Sequence, residues 1–227
     1  MNVSVVIPAY NEEKYIGRCL QGVIDQTEKP DEIIVVDNNC TDKTAEIAGK
    51  YGARIICEKN QGMIYARNAG FNAAKYEIIA RTDSDTILPK DWIIKVKKAF
   101  ADPDIDALSG PASYFQTSLM SKISGSLTIV WFYILGAMLG GPPMFGPNMA
   151  IRKSAWEKVK KDICLNDKDV HEDIDLAIHV ARIGKIKFDN NFTVITTRGR
   201  WLRIFTEYAV RLTKMLRSHR NNRYKAK

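Results

Sequence analysis

The segment "IIARTDSDTILPKDW" (residues 78–92) sets two carboxylates, Asp83 and Asp85, on either side of the small Ser84, directly after an apolar run. In an extended chain residues i and i+2 face the same way, so the two carboxylates are expected to point together. Like charges held that close repel unless a cation lies between or beside them. A hard divalent ion with oxygen ligands, Mg²⁺ or Mn²⁺, answers that need, particularly where a diphosphate adds further oxygens. A plainer reading stays open, because Asp, Ser and Thr also end strands and cap helices, here one starting near Pro89. A second acidic cluster lies in "HEDIDLAIHVARIG" (171–184). Val170, Ile174, Ala177, Ile178 and Ala181 recur at helical spacing, which puts Glu172, Asp173 and Asp175 in the first turn. Acids there favour the helix dipole whatever else they do. His171 and His179 have no partner at metal-ligand spacing and read as structural.

The elements that must position these acids alternate as in a parallel α/β unit. "VSVVIPAY" (3–10), "DEIIVVD" (31–37), "ARIICEK" (53–59) and "YEIIARTDSD" (76–85) are short apolar runs of strand length. Between them "EEKYIGRCLQGVIDQ", capped by Asn11, "CTDKTAEIAGKYG" and "QGMIYARNAGFNAAK" read as helices. Strands without polar alternation, separated by helices, indicate a sheet covered on both faces. Ligands of such sheets collect at the carboxyl ends of the strands. Tyr10 and Asn11, Asp37 and Asn38, and Asp83 to Asp85 should therefore crowd one edge. With 227 residues, 45% of them hydrophobic, the chain can bury a sizeable core in one elaborated domain. Cys19, Cys40, Cys57 and Cys164 show no C-x-x-C spacing and are expected to be reduced, buried thiols rather than disulfides or a zinc site. The opening "MNVSVVIPAYNEE" has no basic segment ahead of a long apolar run, so a cytoplasmic chain is expected.

Five segments in order, "VVIPAYNEE", "IIVVDNNCTDKTAEIA", "NQGMIYARNAGFNAAKYEIIARTDSDT", "GPNMAIRKSAWEKV" and "HEDIDLAIHVARIGK", resemble the family 2 glycosyltransferases from residue 3 to about 197. The resemblance implies a single Rossmann-like, three-layer α/β domain of the glycosyltransferase A type with a mostly parallel central sheet. It also implies inverting transfer, of a hexose in the simplest case, from a UDP- or GDP-sugar to a hydroxyl or phosphate acceptor. Residues 1–100 would be the nucleotide-binding half, 101–197 the acceptor-binding half, and 198–227 an added basic helix and tail. Carried over, Pro8, Tyr10 and Glu12 line the nucleoside pocket, Asp37 hydrogen-bonds the base, and Arg67 makes a further nucleotide contact. Without the resemblance Asp37 reads as a strand-end turn acid and Arg67 as an exposed helix arginine. Asp83 would face ribose and metal, and Asp85 would ligate the metal directly. The "ED" pair would supply the general base, Asp173, with Glu172 orienting the acceptor or a neighbouring loop. Gly146 and Asn148 would contact acceptor or donor sugar.

The net charge of +8 is concentrated at one end. From Arg198 to Lys227 ten basic side chains stand against one acidic, whereas residues 1–197 carry 24 basic and 25 acidic ones. Within that end Trp201, Ile204, Phe205, Tyr208, Leu212, Met215 and Leu216 repeat at three and four among Arg and Lys. Such a helix fits the inner face of a membrane, giving peripheral attachment and a lipid-linked acceptor in cell-envelope polysaccharide or glycolipid synthesis. It equally fits a terminal helix packed on the core. "RGRW" (198–201) is similar to the Q-x-x-R-W signature of processive relatives, with Thr197 where Gln would stand, and Arg198 or Arg200 would close on the diphosphate. The apolar run "LTIVWFYILGAML" (127–139) is too short to span a bilayer, which takes about 20 residues. A sugar nucleotidyltransferase would share the frame and the acidic site, but its glycine-rich phosphate loop is replaced by the acidic, glycine-free "PAYNEE". A non-catalytic nucleic-acid or membrane-binding module would explain the tail but neither acidic cluster, and no nucleic-acid partner is expected.

Overall fold

The computed structural model describes residues 1–114, 136, 141–165 and 170–197. The expected C-terminal helix, Arg198 and Arg200 lie outside these residues, as does the apolar run 127–139 apart from Gly136. A seven-stranded sheet runs in the order β3 (Arg54–Cys57), β2 (Glu32–Asp37), β1 (Val3–Ala9), β4 (Ile78–Arg81), β8 (Met149–Arg152), β6 (Ile105–Ser109), β9 (Lys185–Phe188). β8 alone is reversed, pairing antiparallel with both β4 and β6. A smaller sheet places β10 (Val194–Thr196) between β5 (Thr86–Ile87) and β7 (Ala112–Tyr114).

Every residue of β1 is buried, because its two faces enter two separate cores. Val3, Val5 and Ile7 meet α1 (Ile16–Ile24), α2 (Thr44–Lys50) and α4 (Trp92–Phe100) through Leu20, Val23, Ala48, Trp92 and Val96. Val6 belongs to the opposite core, with α3 (Met63–Ala73), α5 (Lys153–Val159) and α6 (Glu172–Ile183) contributing Phe71, Trp156, Leu176 and Val180. A three-layer arrangement therefore accounts for the continuous apolar strands. Aromatic pairs pin both layers: Phe71 meets Trp156 edge-on at 5.2 Å, and Trp92 stacks on Phe192 at 5.8 Å.

Two local expectations are corrected. Asn11 does not cap α1, which begins at Ile16. Asn11 instead takes a left-handed backbone (φ 53°), and its Oδ1 accepts from the Thr41 amide at 2.8 Å, joining the loops after β1 and β2. The fourth strand ends at Arg81, and the Thr86 amide donates to the Asp83 carbonyl at 3.1 Å, so Asp83 to Asp85 form a turn rather than a strand end. The turn, not strand alternation, sets where the two carboxylates point. None of the four cysteines is in a disulfide, and the burial expected for all four holds only for Cys19: Cys40 and Cys164 are half-buried and Cys57 is exposed at the end of its short strand.

α3 lies so close to the sheet that a Cβ on Gly70 would meet Val6 Cγ1 at 2.3 Å and Val36 Cγ2 at 2.9 Å. Gly49, in α2, has nothing within 4 Å of the same position. Gly70→Ala should therefore cost about 1–3 kcal/mol by overpacking, whereas Gly49→Ala should add about 0.4–1 kcal/mol by restricting the unfolded chain. Urea denaturation of the two variants checks the pair, and a neutral Gly70→Ala would contradict the packing described.

Candidate active site

The carboxyl ends of β1, β2 and β4 open into one pocket of about 370 Å³. Pro8, Tyr10 and Glu12 line one side, Asn38, Gly62 and Met63 another, and Asp83, Ser84 and Asp85 the floor. Asn38 holds the walls together. Its Nδ2 donates to the carbonyls of Glu58 (3.0 Å) and Asn60 (2.7 Å), and its Oδ1 accepts from the Gly62 amide at 2.8 Å. Asp37 is set back from the pocket lining, and its Oδ1 accepts from the Cys40 amide at 2.8 Å as a turn acid does. The acidic turn is fixed by its backbone: the Cys19 thiol donates to the Asp83 carbonyl at 3.3 Å, and the Thr197 hydroxyl to the Asp85 carbonyl at 3.0 Å.

Behind the turn lies a chain of charges. Arg81, the last residue of β4, donates through Nη2 to Asp83 Oδ1 at 3.2 Å and through Nη1 to Glu172 Oε1. Arg67 donates through Nη1 to Glu172 Oε2 at 2.9 Å and also to the Glu172 carbonyl. Both guanidiniums are buried. Arg67 is therefore not an exposed helix arginine; it stands behind the pocket lining, with Glu172 as its carboxylate partner. Burial pushes the Asp83 carboxyl above its ordinary value; Arg81 pulls it down, and Asp85 and Glu172 add to the rise.

The first turn of α6 sends its three acids to different partners. Glu172 meets the two arginines, while Asp175 accepts from the Cys164 amide at 3.0 Å and lies 3.6 Å from His179 Nε2. Asp173 accepts from the Gly146 amide at 3.3 Å and from the Ile174 amide at 2.9 Å. Burial, reinforced by the neighbouring Glu172 charge, lifts its pKa from 3.8 to about 7, against the pull of Arg81 and the two amides. A carboxyl so poised can take a proton near neutral pH. Gly146 packs flat on Arg81, where a Cβ would stand 2.9 Å from Nη2. Asn148 does not face the site. Its Oδ1 accepts from Trp92 Nε1 at 2.9 Å and its Nδ2 donates to the Pro111 and Phe192 carbonyls, so Asn148 is a buried brace. Arg81 had no role in the sequence reading. Its one signal was a charged residue closing an otherwise apolar strand.

The family model for glycosyl transferase family 2 matches residues 4–159. Glycosyltransferase GlyA of Streptococcus pneumoniae serotype 4 is 30% identical over 139 residues, 59% of this chain and 19% of the relative. Glycosyltransferase GlyG of the same organism is 33% identical over 114 residues, 48% of this chain and 38% of the relative. The chain thus spans well under half the length of either. Among solved structures, mannosyltransferase PcManGT from Pyrobaculum calidifontis superimposes with a TM-score of 0.72 at 22% identity, covering 95% of this chain and 64% of that one. Glucosyl-3-phosphoglycerate synthase from Mycobacterium tuberculosis gives 0.65 at 18% identity, covering 95% and 78%. These likenesses show the glycosyltransferase A-type fold. With the family model spanning more than half of its length, the chain belongs to glycosyl transferase family 2.

Proposed function

We propose that the chain is an inverting glycosyltransferase that moves a sugar from a nucleotide-diphosphate sugar to a hydroxyl or phosphate acceptor. The observation that carries this reading is one continuous arrangement: two carboxylates on a pocket floor at the strand ends, joined through Arg81 and Glu172 to the helix turn that bears Asp173. PcManGT was solved with GDP-Man and Mn²⁺, and the synthase with UDP and Mn²⁺, which supports a GDP- or UDP-linked donor here.

Pro8, Tyr10 and Glu12 would wall the nucleoside, with Asp37 near the base and Asp83 and Asp85 at the diphosphate. Two hard carboxylates on one pocket floor fit Mg²⁺ or Mn²⁺. Among the described residues no group of three or more His, Cys, Asp or Glu could hold an ion alone, so diphosphate oxygens would complete its shell. When bound, such an ion neutralises charge developing on the leaving diphosphate. Asp173 would take the acceptor hydroxyl's proton as that oxygen attacks the sugar from the face opposite the diphosphate. Its restraint by the Gly146 amide keeps the carboxylate in place for that transfer. Residues 198–227 would attach the enzyme to the inner face of an anionic membrane, where a lipid-linked acceptor is presented. No helix among the described residues is long and apolar enough to cross a membrane.

Asp85→Ala should weaken Mn²⁺-dependent binding of UDP or GDP by about tenfold or more while leaving thermal unfolding without ligand unchanged. Calorimetric titration with and without chelator reads this, and undiminished affinity would remove Asp85 from the metal site.

Asp173→Asn should retain donor binding and lose roughly a hundredfold or more in transfer. In the parent, kcat/KM should rise with pH up to about 7 and then level, because the base must be unprotonated. The same raised pKa means that the folded state holds this proton more tightly than the unfolded chain. Stability is consequently lost as pH rises from the unfolded value through about 7, so Asp173→Asn should raise the melting temperature at pH 8 more than at pH 4. A flat pH profile, or normal turnover of Asp173→Asn, would move the role to another carboxylate.

Attraction of a polybasic segment contributes about 1 kcal/mol per engaged Lys or Arg and is screened over about 8 Å at physiological salt. The intact chain should co-sediment with anionic vesicles at low salt and not with neutral ones. Truncation before Trp201 should abolish this; an intact chain that ignores anionic vesicles would end the membrane reading.

A further inference from the structure

Arg81 is 1% exposed and stands between two acids from different parts of the chain. One terminal nitrogen serves Asp83 on the pocket floor, the other Glu172 at the start of α6. Its Nε has no hydrogen-bond partner among the described residues, so the hold on this guanidinium comes from those two carboxylates. Glu172 cannot drift with it, because Arg67 grips the other carboxylate oxygen from within α3 and is itself 5.9 Å from the Trp156 ring centroid. The remaining flat face is closed by Gly146, whose amide reaches Asp173. Arg81 thus touches the pocket floor, the helix turn that bears Asp173, and the loop whose amide donates to Asp173.

We propose that Arg81 is a positioning residue that couples occupancy of the pocket to the order of the α6 turn carrying Asp173. The proposal rests on the nucleotide-diphosphate reading of that pocket. With a cation held between Asp83 and a bound diphosphate, the negative charge of Asp83 would be shared with that cation and its claim on Arg81 would weaken. The guanidinium, with no other carboxylate bonded to it, then commits more strongly to Glu172. Because Glu172 is anchored by Arg67, the gain is expressed as a tighter first turn of α6 rather than as a moving side chain. Donor binding would in this way complete the base's setting before an acceptor arrives. A bridge of this kind needs two separated terminal nitrogens on one rigid plane, which arginine has and lysine lacks.

Hydrogen exchange measured by mass spectrometry on the full chain tests the coupling without any turnover. Addition of UDP or GDP with Mn²⁺ should slow exchange across Glu172–Ile183 by about fivefold or more, the lower end of typical coupling between sites. In Arg81→Met the nucleotide should still bind, as calorimetry would show, yet exchange across α6 should not respond. Where that variant fails to fold, Arg81→Lys keeps the buried charge but reaches one carboxylate only, and should likewise bind without a response. Full protection of α6 in a folded Arg81 variant would overturn the proposal. So would nucleotide binding to the parent chain that leaves α6 exchange unchanged, and that result would spare the pocket reading. Failure of both UDP and GDP to bind with Mn²⁺ would overturn the pocket reading and the coupling with it.

Discussion

Glu172 sits between two buried guanidiniums, and the geometry of the site follows from that contact. A single buried cation is costly unless paired and hydrogen-bonded, and two cations on one carboxylate leave positive charge to be balanced. Asp83 and Asp173 supply the balance from either side. The cluster tolerates so many acids because its centre is cationic, and it tolerates buried arginines because its rim is acidic. The three residues at its middle come from α3, β4 and α6, so the ion contacts also fix the relation of helix to sheet where the chemistry would occur. Asn68 supports the arrangement by accepting from Arg67 Nη2 at 2.9 Å and Nε at 3.1 Å.

The reversed strand β8 is the topological counterpart of this cluster. Met149 pairs with Arg81, so the residues immediately before β8 emerge at the carboxyl edge of β4 rather than at the opposite end of the sheet. A parallel strand in that position would have delivered its carboxyl end there and taken Gly146 away from Asp173. Asn148 then locks the reversal, tying the strand's entry to Trp92 on α4 and to the carbonyls of Pro111 and Phe192. One side chain thereby bonds to three segments that lie far apart in the sequence.

Much of the frame was legible in the sequence because it depends on local pattern. The apolar runs of β1 and β2 are long and uninterrupted, and the acids at 83, 85, 172 and 173 cluster visibly. What escaped depends on distant partners. Arg67 and Glu172 are 105 positions apart, and Trp92 and Asn148 are 56 apart, so neither helix spacing nor strand alternation could mark Arg67 or Asn148 as buried. The extension of the fourth strand to Asp85 failed for a different reason. Threonine and aspartate after an apolar run suit a strand end and a turn alike, and the Thr86 to Asp83 hydrogen bond decides between them. The residues assigned by resemblance fared according to their neighbours. Those on the loop after β1 and in the acidic turn line the pocket, whereas Arg67 and Asn148 are satisfied internally.

The thiol of Cys19 lies beneath the acidic turn, donating to the Asp83 carbonyl, and burial together with the charges of Asp83 and Asp85 holds it far above the ordinary thiol range. A thiol in that state is almost never a thiolate and is inert toward alkylating reagents and oxidants while the turn stays shut. Cys57, by contrast, is exposed at the end of β3. The two thiols should therefore label at very different rates, and any reaction of Cys19 would report exposure of the backbone beneath the acidic turn.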